Sequence, residues 1–282
     1  MSTLSIASRL RQKVLGYPVD IIDDQLAQQI IEESWQMEKG LHVVTLNAEM
    51  VIAAQQDQTL DRIIRHAHMI IPDGSGVVWA LKLGGQKKIK RLPGIELASE
   101  TLARAAASGR RVALVGGKPE TLEQLLVKLP QTYPGLKIVA SHHGYFTLDD
   151  EERIVDALEE KSPELVLVAL GVPKQEYFID RWQANLSKSV LIGVGGSFDV
   201  WVGTVKRAPL AFRKMGCEWL YRLIAEPWRY KRMGSALPSF ALQVMQDIAQ
   251  NKLKKAGPHA EKRAQSRQLK KHDKKKERSK DK

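Results

Sequence analysis

Cysteine is nearly absent: Cys217 is the only one in 282 residues. A lone thiol forms no internal disulfide and no thiolate metal cluster, which fits a reducing compartment. Long apolar runs are missing as well. No stretch approaches the ~18 apolar residues that a bilayer span needs. The first twenty residues lack the continuous apolar segment of a secretory signal. The expectation is a cytoplasmic chain, peripheral to a membrane. Charge is uneven. Residues 1–205 hold 22 basic and 25 acidic groups, 206–232 hold 8 and 2, and 251–282 hold 14 and 4. The net charge of +12 therefore belongs to the C-terminal end, while the body is close to neutral. Residues 251–282 also carry almost no large apolar side chains and are expected to be a disordered Lys/Arg-rich tail.

What the body does contain is a series of apolar runs ending in glycine or polar turns. They include His42–Leu46, Met69–Pro72, Arg111–Val115, Lys137–Ala140, Leu165–Leu170 and Val190–Val194. Amphipathic segments separate them, among them one expected helix near 48–67 and another opened by Pro119. Near-continuous apolar strands alternating with helices predict an α/β fold, Rossmann-like, with a mostly parallel sheet covered on both faces. Ligands of such sheets sit beyond the carboxyl ends of the strands. Glycine and lysine at Leu83-Gly84-Gly85-Gln86-Lys87 suggest a boundary. The expected organisation is an α/β region over 1–83, a nucleotide-sugar region over 84–203, a basic aromatic helical appendage over 204–250 and the tail over 251–282.

Several strand ends carry polar groups. Asp73, in Pro72-Asp73-Gly74, is either a helix cap or a general base in a partly desolvated cleft. Thr45 and Asn47 leave a neighbouring strand, so three polar groups converge on one edge. Gly116-Gly117-Lys118-Pro119 is a strand-to-helix turn whose free amides suit an anion, although glycine is common there for backbone reasons. Gln175 offers an amide for a sugar hydroxyl or a uracil edge, or lies in a solvated loop. Arg91 precedes a helix and is either a diphosphate counter-charge or a surface cation. Residues 206–232 interleave basic side chains with Trp219, Tyr221, Trp228 and Tyr230. Arg229 and Arg232 would share a helix face, and Arg222 lies on the same segment. Such a surface suits phosphates or headgroups beside something apolar. His142 and His143 are adjacent and make a poor metal pair, so no metal site is expected.

These residues carry a resemblance. The blocks Thr45-Leu46-Asn47, Pro72-Asp73-Gly74, Arg91-Leu92-Pro93-Gly94, Val115-Gly116-Gly117, His143-Gly144-Tyr145-Phe146, Gly171-Val172-Pro173-Lys174-Gln175-Glu176, Gly195-Gly196-Ser197-Phe198-Asp199, Lys206-Arg207-Ala208-Pro209 and Glu218-Trp219-Leu220-Tyr221-Arg222 resemble the WecG/TagA/CpsF glycosyltransferases. The likeness runs in order over roughly 10–235. It implies transfer of an N-acetylmannosamine-type sugar, or its uronic acid, from a UDP donor to polyprenyl-diphosphate-linked N-acetylglucosamine, with inversion, no cofactor and no essential metal. It implies Asp73 as base beside Thr45 and Asn47. Arg91, Gln175, Arg222, Arg229 and Arg232 are then substrate-binding, and Gly116, Gly117 and Asp199 are expected to join them. The appendage would dock on an anionic membrane surface and close over the pocket. A homo-oligomer is left open. From the residues alone, an RNA-binding protein with a basic arm and a non-catalytic membrane-surface scaffold remain rivals.

Overall fold

The computed structural model describes residues 9–215, 218–225 and 234–250. It opens with an antiparallel hairpin of β1 (Arg11–Val14) and β2 (Tyr17–Asp20). Leu15 and Gly16 at its tip have φ of 50° and 85°, the left-handed pair that a two-residue hairpin turn requires. Next come α1 (Asp24–Gln36), β3 (Leu41–Leu46), α2 (Ala48–Ala54), α3 (Gln58–His66), β4 (Met69–Pro72), α4 (Ser75–Leu83) and α5 (Gly94–Ser108). The chain continues through β5 (Arg111–Gly116), α6 (Pro119–Thr132), β6 (Lys137–His142), α7 (Leu148–Lys161), β7 (Leu165–Ala169) and α8 (Lys174–Trp182). The last elements of this series are β8 (Val190–Gly193), α9 (Ser197–Val202), α10 (Leu210–Lys214) and α11 (Glu218–Ala225). Residues 234–250 are also helical. The single helix expected near 48–67 is two, because the Asp57 carboxylate accepts the Leu60 N–H at 3.0 Å and starts a new helix there.

Six strands form one sheet in the order β4-β3-β8-β7-β5-β6, and every pairing is parallel. Successive residues of β7 explain the two covered faces. Leu165, Leu167 and Ala169 pack into one core with Ile30, Leu97, Leu102, Leu125 and Phe198, from α1, α5, α6 and α9. Val166 and Val168 pack into the other with Val155, Leu158, Phe178 and Ile179, from α7 and α8. A strand buried on both sides reads as an unbroken apolar run, and each fully buried Leu or Val contributes about 1.5–3 kcal/mol. The chain is thus an α/β protein with a Rossmann-like parallel sheet. Strands of the segments 1–83 and 84–203 share that sheet, with β3 paired to β8 in the register Leu41↔Val190.

The described residues up to Phe240 form one compact unit, and those from Ala241 belong to a second. Among the described residues no helix is long and apolar enough to cross a membrane.

Candidate active site

The carboxyl ends of β3 and β4 are strapped together. The Asp73 and Gly74 amides both donate to the Leu46 carbonyl, at 3.1 and 3.2 Å, and the Leu92 amide donates to the Pro72 carbonyl at 3.1 Å. Asp73 thereby leaves the sheet beside the start of α5. Its Oδ1 accepts the Gly94 N–H at 2.9 Å. A carboxylate at the amino end of a 15-residue helix meets both an orphan donor and the positive end of the helix dipole. Asp73 is therefore a helix cap, but for α5 rather than for α4, whose N-cap residue is Gly74 and which has no side-chain cap. Capping leaves the side chain 26 % exposed.

Arg91 closes the other side of this carboxylate. Its Nε donates to the Asp73 backbone carbonyl, and Nη2 stands 3.7 Å from Asp73 Oδ1. Nη1 donates to Glu218 Oε2 at 2.7 Å, and Glu218 is the buried first residue of α11. Burial, the largest influence on the guanidinium, works against its charge. Asp73 and Glu218 together outweigh it, and the pKa is raised. Arg91 is therefore neither an exposed surface cation nor a lone counter-charge.

Thr45 is buried within β3, and its hydroxyl donates to the Gly193 carbonyl of β8 at 3.2 Å. Its methyl group abuts α5: a Cβ on Gly94 would lie 2.7 Å from Thr45 Cγ2. Asn47 caps α2 by accepting the Met50 N–H at 3.0 Å. Its own Cβ would be 2.9 Å from a Cβ on Gly74. Gly94 and Gly74 thus allow close approach to Thr45 and Asn47 on either side of Asp73.

Gln175 lies in the first turn of α8 and is 1 % exposed, so it is no solvated loop residue. Its Oε1 accepts the Gly195 N–H at 2.9 Å and its Nε2 donates to Glu176 Oε1 at 2.8 Å. The amide therefore shapes the turn after β8. Glu176 is 1 % exposed, its Oε2 has no hydrogen-bond partner among the described residues, and burial raises its pKa to about 7. Contacts link these groups in series, from Asp73 through Gly94, Thr45 and Gly193 to Gln175, whose side chain lies against Gly193 where a Cβ would stand 3.0 Å from its Cδ.

Gly116, Gly117 and Asp199 form a separate group. Gly116 has φ 120°, and a Cβ there would meet the Ala169 carbonyl oxygen at 2.4 Å. The Gly117 N–H donates to that same oxygen at 3.0 Å. Phe198 of α9 covers Gly117, and the next residue, Asp199, accepts from the Thr121 hydroxyl of α6 at 3.1 Å. The start of α6 has Pro119 in its first turn and no side-chain cap, which leaves its amides for an anion. Because β3, β8 and β7 intervene, Gly116 stands roughly 19 Å along the edge from Asp73, at about 4.8 Å per strand. The structure thus gathers the expected residues into two groups on one edge. Arg222 lies on α11 with its side chain outside the described residues, as are Arg229 and Arg232. Glu218 as the partner of Arg91, Gly94 as the donor to Asp73 and the buried Glu176 were not anticipated. The motif blocks contained all three without indicating their contacts.

The chain is similar in sequence to known proteins. A protein of Bacillus subtilis (strain 168) named N-acetylglucosaminyldiphosphoundecaprenol N-acetyl-beta-D-mannosaminyltransferase is 36 % identical over 208 residues, 74 % of this chain and 80 % of the relative. One of the same name from Bacillus spizizenii is 33 % identical over 230 residues, covering 80 % and 88 %. A third, from Staphylococcus aureus (strain NCTC 8325 / PS 47), is 37 % identical over 223 residues, covering 78 % and 85 %. The profile of the glycosyl transferase WecG/TagA/CpsF family spans residues 12–254, and with relatives of this extent the chain belongs to that family.

Proposed function

We propose that this glycosyltransferase moves an N-acetylmannosamine-type sugar from a UDP donor to N-acetylglucosamine on polyprenyl diphosphate, with inversion, at the inner face of the cell membrane. The observation that carries the reading is the Asp73 carboxylate, fixed by Gly94 and Arg91 yet still open to solvent at the carboxyl edge of the sheet. The names of the relatives support the acceptor and the sugar.

In this reading Asp73 takes the proton of the acceptor hydroxyl. The oxygen attacks the anomeric carbon from the face opposite the leaving group, and UDP departs with the bonding electrons. The uridine end of the donor lies toward Gly116, Gly117, Gly195 and the start of α6, while the diphosphate and sugar reach along the edge toward Arg91 and Asp73. A donor laid along the edge suits two groups several strands apart. Fixed cations and amides stabilise the charge developing on the diphosphate. Arg91 is one such cation, and its bond to Glu218 makes α11 part of the site wall. That bond supports closure of the 206–232 segment over the pocket at the membrane, which limits donor hydrolysis.

The test incubates the full chain with UDP-N-acetylmannosamine and a short-chain polyprenyl-diphosphate-N-acetylglucosamine. Release of UDP that requires both substrates, with a disaccharide product of inverted anomeric configuration, is expected. A panel of UDP-sugars that yields no transfer to this acceptor would sink the reading.

A further inference from the structure

We propose that the exposed face of α4 and the lysine loop after it form a second membrane-binding surface, on the core itself and separate from the 206–232 segment and the tail. Its partner is a bilayer with anionic headgroups. Between Asp73 and Glu96 the chain has no acidic residue, yet it holds Lys82, Lys87, Lys88, Lys90 and Arg91. That run of one sign contrasts with 1–205, where acids outnumber bases by 25 to 22.

The fold turns this run into a surface. Val77, Val78, Ala80 and Leu81 point inward from α4, and the opposite stripe presents Trp79, Lys82 and Leu83. Trp79 is 39 % and Leu83 43 % exposed, one helical turn apart. The following loop is held close to the helix: the Gln86 amide donates to the Leu81 carbonyl at 2.9 Å, the Ile89 amide to Gln86 at 3.2 Å, and the Ile89 side chain is buried. Lys87, Lys88 and Lys90 stand exposed around that anchor. None of the four lysines is ion-paired with a described residue. An exposed indole with an aliphatic neighbour, ringed by exposed ammonium groups, matches the headgroup boundary of an anionic leaflet.

The placement gives the surface a purpose, and this part rests on the proposed lipid-linked acceptor. The loop runs directly into Arg91 and Gly94, the two residues that hold Asp73. Across the same ion pair, Glu218 leads into Trp219 and Leu220, both exposed. Seating the α4 face on the bilayer would bring the Asp73 end of the edge to the depth of the acceptor's diphosphate.

The experiment uses the full chain with vesicles of phosphatidylcholine, alone or mixed with phosphatidylglycerol. The variant K82Q/K87Q/K88Q is expected to bind the anionic vesicles about fivefold more weakly per lysine removed, roughly 100-fold in all, with the difference vanishing in high salt. Trp79→Phe is expected to lose a share of the fluorescence quenching produced by bromine-labelled lipids. Circular dichroism and Tm verify that both variants are folded. Unchanged vesicle binding together with unchanged quenching overturns the proposal. So does unchanged binding with a lower sedimentation coefficient for the free triple variant, which would make this face a contact between two copies. Activity on the short-chain acceptor separates this proposal from the function. The triple variant should match the wild type there. A wild type without transfer would refute the function while leaving the vesicle result to stand or fall alone.

Discussion

Gly94 donates its backbone N–H to Asp73 Oδ1 at 2.9 Å, which ties the residue after β4 to a helix that begins 21 positions later. Structure and proposed chemistry thus share one carboxylate, and two substitutions separate them. Asp73→Asn keeps an oxygen for the Gly94 amide but removes the base. Transfer should fall about 10²–10⁴-fold, with a modest loss of Tm from the weakened pairing with Arg91. Asp73→Ala loses the cap too, at an additional cost of about 1 kcal/mol of stability. Product formation and thermal unfolding measured on both variants check this, and near-normal turnover by Asp73→Asn removes Asp73 from the reaction.

The contact between Thr45 and α5 makes a second prediction. Gly94→Ala would place a Cβ 2.7 Å from Thr45 Cγ2 and 3.1 Å from Thr45 Cβ. The start of α5 must shift, costing about 1–3 kcal/mol and moving the amide that holds Asp73. Thr45→Ser removes the methyl group and keeps the hydroxyl that bonds to Gly193. The double variant should therefore recover part of the lost stability and activity. A double-mutant cycle reads the coupling directly. Strict additivity would show that this contact is not the cause.

The strands and their glycine turns were legible because a parallel strand covered on both faces needs apolar residues at every position, as in Leu165–Ala169. The β1–β2 hairpin was not. Its four-residue strands contain Pro18 and the buried Asp20, which is made tolerable only by Arg9, Arg11 and the Ile70 amide from elsewhere in the fold. At the site, residue types and strand-end positions could be read, but partners could not. Arg91 and Glu218 are 127 residues apart, and only the course of the chain brings them together. The burial of Gln175 could not be read because it depends on how α8 meets the turn after β8. Glu176 escaped notice for a related reason: a charged residue at a helix start is ordinarily a surface residue.

Glu176 predicts an unusual pH dependence. Burial, opposed by the bond from Gln175, lifts its pKa from 4.5 to about 7. Below about pH 4.5 the group is protonated in both folded and unfolded chains, and its contribution is fully present. As pH rises toward 7 the unfolded chain ionises while the folded one holds its proton, so stability declines by up to about 3 kcal/mol. Glu176→Gln stays neutral and retains an oxygen for Gln175. Urea midpoints of the two proteins should therefore diverge between about pH 4.5 and 7, the variant becoming the more stable. Parallel curves across that window would contradict the burial argument.

His42 acts in the opposite direction on the acid side. Its ring in β3 is buried, its Nε2 has no hydrogen-bond partner among the described residues, and burial followed by the charge of His68 depresses its pKa from 6.5 to about 3. The folded chain therefore holds this imidazole neutral where the unfolded chain would protonate it. Its contribution is complete above about pH 6.5 and drains away as pH falls toward 3. Between about pH 6.5 and 5 this single residue should cost about 2 kcal/mol. His42→Leu removes the proton site without leaving a donor or acceptor stranded, so it should lose less stability than the wild type over that interval. Unfolding free energies of both proteins at those two pH values measure the difference, and an equal loss in each would mean that His42 is reached by solvent in the folded state.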